Sequence, residues 1–149
     1  MGKIIFLDFD GVLTSNAYTR QCIFEYRREN LYGLDWFDPD CLAALRAVID
    51  ATGAGIVVSS SWRDLGEIKL RHLWDEIPIP GEFAGTTPIW VLTKADAIRE
   101  YLKLNPCVSY VILDDSDLHL PNQIKTDPCT GLSDSDARAA IHILNNIQT

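Results

Sequence analysis

Nowhere does this chain carry an apolar run approaching the roughly 20 residues of a membrane-spanning helix. A membrane is therefore not expected among its partners. Its first residues lack a basic stretch followed by an apolar run and a small-residue cleavage site, so no secretory leader is expected. Cys22, Cys41, Cys107 and Cys129 show no C-x-x-C spacing, and no histidine lies near enough in sequence to suggest a zinc site. Isolated cysteines of this kind read as reduced structural thiols, and with them a cytoplasmic location. Positive charge is also scarce: 13 Lys and Arg stand against 21 Asp and Glu, a net charge of −8, with no basic run. Proteins that track many phosphates carry a basic patch, so strong nonspecific nucleic-acid binding is not expected. Repeats, low-complexity tracts and linkers are missing as well, which leaves a single folded domain over residues 1–149.

What remains is a regular alternation of strand and helix signals, which predicts an α/β fold with a parallel sheet and helices on both faces. Residues 3–8 read as a buried strand, 55–59 as a second and 110–113 as a third. Asp38-Pro39 caps a helix that carries Leu42, Leu45 and Ile49 and stops near Gly53. A second helix is expected over 64–75, and the proline-rich stretch 77–88 as a loop or sheet edge. Thr93 caps a helix bearing Ala97, Ile98, Tyr101 and Leu102. Ser133-x-x-Asp136 resembles a capping box ahead of a last helix.

The chemistry begins where the first strand ends, at Asp8-Phe9-Asp10-Gly11. Ligands of open α/β sheets bind outside the carboxyl ends of the strands. Strand alternation would turn Asp8 and Asp10 the same way, and converging carboxylates need a cation or a proton. The strand at 55–59 ends in the hydroxyl of Ser59, or in Ser60 or Ser61 if it runs longer, with Arg63 close behind. Lys94 opens a helix, and the strand at 110–113 runs into Asp114-Asp115.

Taken in order, Asp8-x-Asp10-Gly11-Val12, the Ser59 strand end, Lys94 and Asp114-Asp115 resemble the four motifs of the haloacid dehalogenase (HAD) superfamily of aspartate-nucleophile phosphatases. Ser59-Ser60-Ser61-Trp62-Arg63 and Thr126-Asp127-Pro128-x-x-Gly131-Leu132 are most similar to the small HAD domain of Swiss-army-knife RNA repair proteins. The resemblance implies a Rossmann-like HAD fold and a magnesium-dependent phosphomonoesterase. In it Asp8 would be the nucleophile and Asp10 the acid–base, with Ser59 and Lys94 steadying the phosphate and Ser60 and Arg63 binding substrate. Magnesium would be held by Asp8, the Asp10 carbonyl and Asp114 or Asp115, Asp114 being favoured as direct ligand and Asp115 lying near the metal or holding Lys94. The substrate would be a small phosphoester, a nucleotide or a nucleic-acid end. Residues 14–37, with Tyr18, Phe24, Tyr26, Tyr32, Trp36 and Phe37 beside Arg20, Arg27 and Arg28, would form a short hairpin-like flap and no large cap domain. The other reading is a noncatalytic phosphate-binding or interaction module on the same fold; the presence of Asp8, Asp10 and Lys94 favours the enzyme. Asp127 reads as a turn residue, and His119 is the one histidine near the paired acids.

Overall fold

In the computed structural model, which describes residues 2–25 and 37–146, the apolar runs assemble into one parallel sheet. In chain order the elements are β1 (Lys3–Leu7), α1 (Asn16–Phe24), α2 (Pro39–Thr52), β2 (Gly55–Val58), a 3-10 helix (Ser61–Leu65), α3 (Glu67–Glu76), β3 (Glu82–Thr86), α4 (Lys94–Leu104), β4 (Ser109–Asp114), β5 (Gln123–Lys125) and α5 (Asp134–Asn145). Spatially the strands run β3-β2-β1-β4-β5, all parallel, with β1 at the centre. Ile5, Phe6 and Leu7 of β1 are wholly buried, as a strand covered on both faces requires. Alternation sends Ile5 and Leu7 to the larger core, with Leu45 and Val48 of α2, Leu70 of α3 and Ala140 of α5. Phe6 points the other way, to Val57, Ile112 and Ile98 of α4. Helices thus cover both faces in a Rossmann-like α/β arrangement.

The helix starts follow local chemistry. Asp38 Oδ1 accepts from the Asp40 N–H at 2.9 Å and Pro39 occupies the first turn, while Gly53 closes α2 in the left-handed region. Thr93 Oγ1 accepts from the Asp96 N–H at 3.1 Å and opens α4. Ser133 and Asp136 form the reciprocal capping box of α5.

Three expectations change. The helix expected over 64–75 is two pieces, because Gly66 takes φ 90° and ψ 157°, which no helix accommodates. The stretch 77–88, expected as a loop or sheet edge, does supply the edge strand β3, whereas β5, unforeseen, forms the opposite edge. The first part of the flap is a helix, α1, rather than one arm of a hairpin: Ser15 Oγ accepts from the Tyr18 N–H at 3.0 Å and starts it. Tyr26, Arg27, Arg28, Tyr32 and Trp36 lie outside the described residues. Phe37 packs edge-on against Phe9, and Arg20 and Phe24 are exposed. Both ends of the excursion meet at one place, where the Asp38 N–H donates to the Leu13 carbonyl at 2.9 Å and the Ser15 hydroxyl donates to Asp38 at 2.7 Å.

Candidate active site

Four polar residues stand in a row at the carboxyl edge of the sheet. The register pairs Leu7 with Val58 and Leu113, and Val58 with Thr86. The residues one step further on are Asp8, Ser59, Asp114 and Thr87. Backbone bonds of 3.0 Å from Asp8 to Leu113, from Ser59 to Leu7 and from Thr87 to Val58 hold them level. Neighbouring strands lie about 4.8 Å apart, so Asp8 has Asp114 on one side, Ser59 on the other and Thr87 one strand beyond.

Asp8 and Asp114 share the parity of Phe6 and Ile112, the face that α4 covers. Lys94 is the first residue of α4, and its Nζ lies 3.3 Å from Asp8 Oδ2 and 3.1 Å from Asp114 Oδ2. The lysine is therefore held by Asp114 and Asp8, while Asp115, expected either near the metal or holding Lys94, stands in the acid cluster. Asp8, Asp114 and Asp115 bring carboxylate oxygens within 4.8 Å of one another. Burial and the neighbouring Asp114 push the Asp8 carboxyl up to about 7, even with Lys94 pulling the other way. Burial also raises Asp115, with Asp114 adding to it. For Lys94 burial works against the charge, but Asp8 and Asp114 outweigh it and hold the ammonium above the ordinary lysine range. Three converging acids against one ammonium is a donor set that fits a hard divalent cation.

β1 ends at Leu7, so alternation does not reach Asp10, which lies exposed in the following turn with its carboxylate outside the cluster. The turn uses its backbone carbonyls almost fully. Phe9 O accepts from Val12, Leu13 and Thr14, while Gly11 O accepts from Thr126, Val12 O from Leu132 and Leu13 O from Asp38. Among the described residues the Asp10 carbonyl alone of positions 9–13 has no such partner, which leaves it open to a cation.

Of the three serines, Ser59 stands in the row. Its hydroxyl is buried with no hydrogen-bond partner among the described residues, and buried polar groups without partners are uncommon. Ser60 Oγ is committed to capping the 3-10 helix, accepting from the Trp62 N–H at 2.9 Å, and Ser61 is exposed. Arg63 reaches the far end of the row, donating from Nη1 to Thr87 Oγ1 at 2.8 Å. Thr87 gives no sign of itself in the sequence, because only sheet register places it beside Ser59. Asp127 builds the expected turn, accepting from the Cys129 N–H at its side chain and from Thr130 and Gly131 at its carbonyl. His119 is exposed beside Asp117, and His72 and His142 are exposed as well.

The family model for the HAD domain in Swiss Army Knife RNA repair proteins matches residues 4–137. Comparison with curated proteins and with solved structures gave no match.

Proposed function

This chain belongs to the family of HAD domains in Swiss Army Knife RNA repair proteins, and from that membership we propose that it is a magnesium-dependent phosphomonoesterase acting through an aspartyl-phosphate. One observation carries the reading. Asp8 sits at the tip of the central strand, 3.3 Å from Lys94, flanked by buried Asp114 and by the unpartnered hydroxyl of Ser59.

In the proposed reaction Asp8 Oδ attacks phosphorus in line with the ester oxygen. The P–O bond to the leaving group breaks, and Asp10 gives that oxygen a proton. Asp10 then takes a proton from water, which attacks the aspartyl-phosphate and releases inorganic phosphate. Lys94 and the Ser59 hydroxyl steady the charge on the phosphoryl oxygens. Asp8, the Asp10 carbonyl, Asp114 and Asp115 would hold Mg2+. Bound there, it would keep Asp8 ionised and draw charge from the phosphoryl group. Arg63, fixed on Thr87 beyond Ser59, would meet the leaving-group side of the substrate rather than the transferring phosphate. A nucleotide or nucleic-acid end gripped by few contacts suits a chain of net charge −8 better than a long polyanion does.

The test is turnover of an aryl phosphate and a nucleoside monophosphate in Mg2+ and in excess chelator, with acid-quench trapping of phosphoenzyme. Mg2+-dependent release of phosphate and a trapped intermediate that vanishes in Asp8→Asn support the reading. Phosphate binding without turnover would make the protein a phosphate-binding module instead.

A further inference from the structure

Thr14 and Thr126 lie on either side of Gly11, and neither belongs to the acid cluster. Gly11 takes φ 79°, and a β-carbon there would run into the Asp115 carboxylate, so the turn passes tightly against the acids. Its N–H donates to Thr14 Oγ1 at 3.1 Å, and Thr126 Oγ1 donates to its carbonyl at 2.7 Å. Both threonines are buried. A trans peptide points its N–H and C=O to opposite sides. The bond to Thr14 therefore sends the Asp10 carbonyl away from Thr14. Thr126 is itself tied to the acids, because its N–H donates to the Asp114 carbonyl at 3.0 Å. The segment beyond it repeats the grip: the Leu132 N–H donates to Val12 O at 2.8 Å, and the carbonyls of Pro128 and Cys129 receive the N–H groups of Asn16 and Ala17.

We propose that the Thr14 and Thr126 hydroxyls clamp the Gly11 turn, aiming the Asp10 carbonyl at the cation and the Asp10 carboxylate at the leaving oxygen. They are positioning residues, acting through Asp10, and the assignment rests on the phosphomonoesterase reading given above. Thr126 does this as a bridge. One residue bonds both to the backbone of Asp114 on β4 and to Gly11 after β1, so the two halves of the acid site keep a fixed distance. Outer-sphere hydrogen bonds of this kind typically account for about ten- to a hundred-fold in metal affinity or activity.

Thr126→Val keeps the side chain's shape and removes the donor, while Thr126→Ser keeps the donor. Three measurements are compared with wild type: Mg2+ affinity by calorimetry, kcat and KM on an aryl and an alkyl phosphate, and Tm in chelator. Thr126→Val should bind Mg2+ at least about ten-fold more weakly. It should lose more kcat on the alkyl than on the aryl phosphate, with KM little changed, and Thr126→Ser should restore both. Unchanged Mg2+ affinity with an unchanged ratio of the two substrates overturns the clamp, as does equal loss in the Ser and Val variants. If Thr126→Val does not fold, Thr14→Val decides by the same readouts. A wild-type protein with no phosphoester turnover defeats the phosphatase reading alone, since the Mg2+ titration still decides the clamp.

Discussion

Replacing Asp8 with Asn should abolish turnover and, in chelator at pH 8, make the protein more stable. The Asp8 carboxyl rises from 3.8 to about 7 on folding, because burial and Asp114 oppose its charge more than Lys94 supports it. A group raised in this way binds more protons folded than unfolded. The contribution of Asp8 to stability is therefore fully present below about pH 4 and is lost as pH climbs through 7. Every tenfold gain in proton affinity on folding is about 1.4 kcal/mol, so ionised Asp8 costs about 4 kcal/mol in the metal-free protein. Asn keeps the shape and can still accept from the Phe9 N–H, which bonds Asp8 Oδ1 at 3.0 Å. The Lys94 contact is already inside that figure, and relaxation around the ionised group trims the expected gain to about 2–4 kcal/mol. For a domain of this size that is a rise in Tm of about 5–15 °C. The assay is thermal unfolding of both proteins in chelator from pH 4 to 8, then with Mg2+ added. The gap should open between pH 4 and 7 and close with Mg2+, since a ligand at a hundred times its Kd adds about 2.7 kcal/mol to the wild type. A variant no more stable than wild type at pH 8 in chelator would refute the account of the acid cluster.

Lys94→Met should act in the opposite sense, destabilising the metal-free protein by about 2 kcal/mol at pH 8, with allowance for the lysine's partial exposure. The loss should shrink at pH 5, where Asp8 carries its own proton, as chemical unfolding at the two pH values would read. Ser59→Ala removes a hydroxyl without a partner, so urea unfolding should show stability unchanged within about 1 kcal/mol. Its inhibition constant for inorganic phosphate should nevertheless weaken several-fold. Asp10→Asn should lose about a hundred- to ten-thousand-fold in kcat on a nucleoside phosphate. It should lose much less on an aryl phosphate, whose leaving oxygen scarcely needs a proton; equal losses would take the acid role away from Asp10.

The central part of this fold is legible because its signals are local. Apolar runs end in Asp8, Ser59 and Asp114, and the Asp38, Thr93 and Ser133 caps open helices where their side chains reach the next turn. The edges are less so: residues 77–88 read only as a loop or sheet edge, and β5, three residues long with none fully buried, has no apolar run to mark it. α1 is hidden by its aromatics, which read as flap packing, although Ser15 supplies an ordinary helix start. The break at Gly66 has a visible sign, a glycine inside a helical pattern, but helices tolerate a lone glycine often enough to mask it. The site shows the same division. Asp8 and Lys94 follow from motif order, but the choice of Asp114 as the lysine's partner depends on which sheet face α4 covers. Thr87 becomes meaningful only through sheet register, and Thr126, though it opens a stretch that carries the family resemblance, shows what it holds only through its bonds to Gly11 and Asp114, far away in sequence.

The meeting of Leu13, Ser15 and Asp38 gives the domain a socket. Whatever chain runs between them leaves and returns through one hydrogen-bonded gate, so the scaffold beneath does not register its length. Doubling such a closed segment adds only about 0.6 kcal/mol of closure entropy. A change of length beyond α1 and ahead of Phe37 would therefore leave the acids and the sheet as they are, whereas Asn16, Ala17 and Phe37 are tied to the scaffold by their own bonds and packing.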